Sequence, residues 1–123
     1  MANMEFWELD AWKKAHQLVL EVYSLTNSFP KEERYGMTDQ MRRASSSVTA
    51  NIAEGFERYH FKDKTRFYYQ ARGSVAEVQN FIMLAKDLTY INVETCERVG
   101  ERIKEIKMLF NGLIRAISKQ TGY

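Results

Sequence analysis

The last third of the chain carries the strongest constraint on its fold. Cys96, Val99, Ile103, Ile106, Phe110, Leu113 and Ile117 are separated by alternating steps of three and four residues, the rhythm of a helix lying along a bundle or coiled-coil seam. A seam needs partner helices, and the rest of the chain offers three. Met41, Ala44, Val48, Ile52 and Phe56 form a second stripe. Phe67, Ala71, Ser74, Val78, Ile82 and Ala85 form a third, with Phe81 and Leu88 beside it. Near the start, Trp12, Ala15, His16, Val19, Val22, Tyr23 and Thr26 share a face, and Leu18, Leu20 and Leu25 widen its apolar arc. An arc that broad requires a broad core or a subunit partner. No alternation of period two and no tandem repeat competes. We therefore expect an all-α, antiparallel up-down four-helix bundle, a single domain over residues 1–123, with helices at about 9–27, 38–58, 62–89 and 93–118.

Punctuation agrees with that division. Asp10, Thr38 and Asn92 are candidate N-caps, and Asp39 would sit at the positive end of the second helix. The only proline, Pro30, follows Phe29 and lies in the one long connection, Ser28 to Thr38, where Gly36 can end a short turn. Gly55 predicts termination of the second helix around Glu57 to His60. Gly73 falls in the middle of the third, where glycine costs about 1 kcal/mol relative to alanine. A close helix crossing would explain it.

At 123 residues the chain can bury roughly two thirds of its unfolded surface, enough for a core without a disulfide or metal staple. The single cysteine, Cys96, has no internal partner and reads as a small seam residue. No apolar run is long enough to span a bilayer, and MANMEFWELD lacks the basic-then-apolar pattern of a signal peptide. A cytoplasmic protein without membrane contact is expected. The net charge is only +2, yet residues 62–123 hold eleven basic and seven acidic side chains. A monomer so weakly charged would bind nucleic acid weakly, but an oligomer repeats its basic surface.

Two groups of polar residues stand out. Arg42, Arg43, Asn51, Glu54 and Glu77 are candidates for a polar network, either ion-paired between the second and third helices or with an arginine turned toward an oligomer lumen or a phosphate. The second group is the segment RYHFKDKTRFYYQAR. There Arg58, Lys62, Lys64, Arg66 and Arg72 interleave with Tyr59, Phe61, Phe67, Tyr68 and Tyr69. Cations can neutralise phosphates while exposed aromatics stack on unpaired bases, which suits RNA loops better than a duplex groove. The plainer alternative makes the aromatics core and the cations a solvated helix start.

Over nearly its whole length the chain also resembles the 23S ribosomal RNA intervening-sequence proteins, a four-helix-bundle family related to the accessory variability proteins of diversity-generating retroelements. The resemblance rests on FPxEExYG, QxRRAxxSxxxNIAEGxxR and ARGSxxE, present in the family's order at compatible spacing. It implies a small up-down bundle that assembles into a ring, a homopentamer, with a role in binding structured nucleic acid. By motif match it carries over Arg42, Arg43, Asn51, Glu54, Gly55 and Arg58 from the second helix, and Arg72, Gly73, Ser74 and Glu77 from the third. Thr49 stands where relatives often have proline, so no kink is expected there.

Enzymatic readings find little support. Glu57 and His60 form a single ExxH, whereas a di-iron bundle needs two copies and two further inward glutamates. His16 reads as a hydrogen-bonded core histidine. We expect no catalytic residues, no metal and no cofactor. The expected partners are further copies of the chain and RNA or a ribonucleoprotein, with a protein partner such as a reverse transcriptase as the alternative.

Overall fold

The computed structural model describes residues 4–121. Among them are four α-helices and no strand: α1 (Asp10–Thr26), α2 (Met37–Glu57), α3 (Phe61–Asp87) and α4 (Val93–Thr121). The α2–α3 and α3–α4 connections are short, which turns consecutive helices back on one another. Each helix packs against its two neighbours around a square, α1 against α2 and α4, and α3 against α2 and α4. A single buried cluster draws on all four, with Leu18, Met41, Ile52, Ile82, Ile103 and Phe110 among its fully covered side chains.

Helix α1 differs most from expectation. Its covered edge is Ala11, Ala15, Leu18, Val22 and Thr26, rotated from the face expected around Trp12, His16 and Tyr23. His16 is exposed rather than core, its ring stacked on Trp12 at 4.6 Å. Asp10 is not the cap. Leu9 holds that position in extended conformation, and Asp10 opens the helix, where its charge still favours the positive end. A 3-10 turn at Phe6–Glu8 precedes it, closed by the Glu5 amide donating to the Glu8 carboxylate at 2.8 Å.

Helix α2 starts one residue before Thr38, which is buried and does not cap. The cap comes from the preceding 3-10 turn, Lys31–Glu33: the Met37 amide donates to Glu33 Oε1 at 3.1 Å. Glu33 Oε2 accepts from the Tyr90 hydroxyl at 2.9 Å, so one carboxylate ties the α1–α2 connection to the α3–α4 turn. The helix then runs without interruption through its serine-rich middle. Ser45 and Thr49 donate to carbonyls one turn back, Asn51 to Ser47, and Ser74 of α3 to the Ser47 hydroxyl at 3.0 Å. Thus the hydroxyls are satisfied locally and the faces stay close.

At Gly55 α2 and α3 pack closely. A Cβ there would lie 2.9 Å from Tyr68 Cε1 and 3.0 Å from Phe67 Cβ. Gly73, expected to mark a close crossing, marks none: it is exposed, and a Cβ would meet nothing within 4 Å. Helix α3 buries Val75, which the sequence pattern passed over, while Ser74 is only half-buried and Leu88 is exposed. It stops at Asp87 because Thr89 adopts φ 63°. Thr89 and Tyr90 donate to the carbonyls of Lys86 and Ala85 at 2.9 and 2.8 Å, the paired bonds that close a helix through a left-handed residue. Asn92 then caps α4 through the Thr95 amide at 2.8 Å. Inside α4, Val99, Ile103, Ile106, Phe110, Ile114 and Ile117 are buried, with Cys96 and Leu113 half-covered beside them.

Candidate nucleic-acid interface

The basic residues expected to act together divide into three kinds of environment. Lys64 serves the fold. Its ammonium reaches back across the α2–α3 turn and donates to the carbonyls of Gly55 and Phe56 at 3.3 and 2.5 Å, the end of α2 where carbonyls lack helical partners. Burial lowers its pKa below 10.5, and Glu57 opposes that shift. Its charge is therefore spent on the helix terminus rather than offered to a ligand.

Arg58 and Arg66 are shared between aromatic and acidic neighbours. Both guanidinium carbons lie 4.7 Å from the centre of the Phe67 ring, within cation–π range. Arg58 also pairs with Glu54 at 3.1 Å, and Arg66 stands 4.0 Å from Asp63. Phe67 and Tyr68 are core, as the plainer alternative held, whereas Tyr59 and Tyr69 remain open to solvent.

The third environment is a groove between α3 and α4. Two adjoining hollows of about 390 and 420 Å³ meet at Tyr69. Lys62, Arg66 and Thr65 line the first with Ser118 of α4. Arg72, Gly73 and Ala76 line the second, with Lys107 and Asn111 opposite. Four cations line this groove and no carboxylate does. Arg72 donates to Asn111 Oδ1 at 3.0 Å, and Lys107 donates to Gln79 Oε1 at 2.6 Å. Lys107 is the residue that the sequence pattern did not single out. Its signal was its place one step off the seam position Ile106, on the flank that α3 covers.

The opposite flank of α4 is different. Arg98 and Arg102 both donate to Glu21, at 2.8 and 3.1 Å, and Arg102 also to Gln17. A larger hollow of about 680 Å³ there is lined by Lys14, Arg98, Arg102 and Lys104 together with Glu101 and Glu105. With Glu21 bound to both arginines, carboxylates offset most of its positive charge.

The expected ion pairing of Arg42, Arg43, Glu54 and Glu77 between α2 and α3 does not form. Arg42 turns to α1 instead, where Thr26 Oγ1 accepts from its Nε at 2.9 Å, Asn27 Oδ1 accepts from its NH2 group, and the Tyr23 ring lies beneath it at 4.6 Å. Arg43 pairs with Asp39 and Glu54 with Arg58, each one turn away in α2. Asn51 bonds within α2, and Glu77 is exposed, without an ion pair among the described residues. Exposed residues four apart on one helix satisfy each other with less ordering than a cross-helix pair demands. Among the described residues no group of three or more His, Cys, Asp or Glu could hold a metal, and no helix is long and apolar enough to cross a membrane.

Comparison with known proteins points in one direction. A family model described as 23S rRNA-intervening sequence protein matches residues 7–112. A solved structure from Bacteroides thetaiotaomicron, described as a protein with unknown function from the S23 ribosomal protein family, superposes with a TM-score of 0.79. The two are 22% identical over 85% of this chain and 95% of that one, a likeness of fold. No similar sequence is found among curated proteins.

Proposed function

This chain belongs to the 23S rRNA-intervening sequence protein family, and from that premise we propose that it is a non-enzymatic, self-associating bundle that binds structured RNA or a ribonucleoprotein. One observation carries the reading: the α3–α4 groove gathers Lys62, Arg66, Arg72 and Lys107 with no carboxylate among its lining residues. A groove lined by four cations, of which only Arg66 has a carboxylate nearby, Asp63 at 4.0 Å, attracts a phosphate backbone, and copies of it in a ring turn weak single contacts into avidity. Self-association is supported by what α1 leaves open. Leu20 is 58% exposed and Tyr23 43%, so the outer part of the apolar arc lacks cover in one chain.

The test is binding to the host's ribosomal RNA and to an unrelated duplex across a salt series, with light scattering for subunit number. The expected result is a homopentamer with affinity falling steeply as salt rises, by a log–log slope of about −3 for each four-cation groove engaged. A monomer at micromolar concentration would remove the ring from the proposal. A second reading, a scaffold for a protein partner without direct RNA contact, draws on Met83 and Leu84 in the last turns of α3 and Leu88 just past its end, all exposed. Absence of RNA binding at every salt concentration would select it.

A further inference from the structure

We infer that the α3–α4 groove receives an unpaired RNA strand, with a base stacked on Tyr69 and the adjoining phosphates held by Arg72 and Lys107. The inference rests on the RNA reading above and names the part of the RNA that the site takes.

Width comes first. Packed helices stand about 8–10 Å apart, so the trough between two of them admits one strand. A duplex presents its phosphates on a convex surface and is met by elements that project into its grooves or span them. The α3–α4 trough does neither.

Second, two of the groove's cations are held by neutral groups. Arg43 meets Asp39, Arg58 meets Glu54, Arg98 and Arg102 meet Glu21, and Arg66 at the groove's end stands 4.0 Å from Asp63, whereas Arg42 on the α1–α2 side is held by Thr26 and Asn27. In the groove, Arg72 and Lys107 are each held across the helix interface by a neutral amide oxygen, from Asn111 and Gln79. An amide oxygen orients a cation without cancelling its charge. Both cations therefore meet a phosphate already aimed and undiminished.

Third, the aromatic is in place between the charges. Tyr69 is 47% exposed, lines both hollows, and has the Arg72 guanidinium carbon 4.8 Å from its ring centre. Lys62 and Arg72 are ten residues apart on one helix, about 15 Å along its axis. That is the reach of a few nucleotides, with the ring partway between. A tyrosine flanked by cations in this way is a stacking platform for any base.

Fourth, the groove accounts for Gly73. Packing within the chain does not require a glycine there, since nothing lies within 4 Å of a Cβ at that position. Gly73 and Ala76 line the hollow beside Arg72, and their lack of bulk lets a sugar–phosphate backbone lie against the helix.

The experiment measures fluorescence anisotropy of a labelled oligouridylate of about 12 nucleotides, within the site size of small single-strand-binding folds, and of a blunt RNA duplex of equal length. The full-length protein is compared with Tyr69→Leu, Tyr69→Phe, Lys107→Gln and Gly73→Leu. We expect the single strand to bind more tightly than the duplex. Tyr69→Leu should lose about tenfold in affinity while Tyr69→Phe keeps it. Lys107→Gln should flatten the salt slope by about 0.7. Gly73→Leu is the most discriminating, because leucine favours the helix yet fills the trough: melting temperature should rise while binding falls. Equal or tighter duplex binding, with Tyr69→Leu and Gly73→Leu unaffected, overturns the unpaired-strand inference and leaves RNA binding standing. Failure of both probes to bind overturns both.

Discussion

The same substitution at two glycines should move stability in opposite directions. In an open helix interior, glycine to alanine gains about 0.8–1.0 kcal/mol from backbone entropy alone. Gly73→Ala should realise that gain, because a Cβ there meets nothing within 4 Å. Gly55→Ala begins with a similar propensity gain but places its Cβ 2.9 Å from Tyr68 Cε1 and 3.0 Å from Phe67 Cβ. The Tyr68 ring is only 3% exposed and has little room to turn. Phe67 Cβ sits one bond from the α3 backbone, so relief there requires α3 itself to move. Overpacking of this kind costs about 1–3 kcal/mol, which leaves Gly55→Ala between neutral and about 2 kcal/mol destabilised. The two variants should therefore differ by about 1–3 kcal/mol, or on the order of 4–12 °C in melting temperature for a chain of this length. Urea titrations followed by circular dichroism, at one protein concentration and with equal slopes, measure the difference directly. Equal stabilisation by both substitutions would refute the close α2–α3 contact.

Two further outcomes follow from single residues. Thr89 holds φ 63°, which costs a β-branched residue about 1–2 kcal/mol. Glycine gives back about 0.5–1 kcal/mol of that as unfolded-state entropy, so Thr89→Gly should stabilise by about 0.5–1 kcal/mol. A melting temperature that stays level or falls would show that the turn carries no strain. Burial raises the Tyr68 pKa from 10.0 to about 12. The folded chain therefore keeps a proton that the unfolded chain releases, and the stability present below pH 10 declines as pH rises toward 12. The loss amounts to about 2–3 kcal/mol. Tyr68→Phe should flatten most of that decline in urea midpoints. Tyr90, whose pKa is raised chiefly by its hydrogen bond to Glu33, contributes in the same direction. An unchanged alkaline slope in Tyr68→Phe would exclude Tyr68 as its source.

The helices and most of the core were legible because burial imposes a period of 3.6, and α2, α3 and α4 each carry one clear stripe. In α1 the extent and Ala15, Val22 and Thr26 of the expected face agree with the structure, but the pattern leaves the rest of the face ambiguous, because two overlapping stripes run along the helix. Ala11, Ala15, Leu18 and Val22 won the buried edge, while Trp12 kept only partial cover and stacked on His16. Pattern alone does not rank alanine above tryptophan. Packing does, where two neighbours press on one helix. The cations were visible in composition, but their partners were not. Whether Lys64 caps α2 or Arg42 crosses to α1 depends on distances that only the assembled bundle sets. Lys107 joins Arg72 for the same reason: the two are 35 positions apart and become neighbours through the α3–α4 pairing. Of the three expected caps only Asn92 holds, bonding the Thr95 amide three residues on; at α2 Glu33 of the preceding turn takes the role expected of Thr38.

The Glu33 carboxylate has a consequence for how the molecule breathes. It accepts from the α2 amide of Met37 and from the Tyr90 hydroxyl beyond α3, and Phe29 packs 5.2 Å from the Tyr90 ring. Fraying at that end thus cannot begin at one connection and leave the other intact. In hydrogen exchange, the first amides of α2 and those around the α3–α4 turn should open as one unit, with one shared free energy. Glu33→Gln, which weakens both bonds at once, should hasten the two sets of amides by the same factor and leave those at the α2–α3 end unchanged.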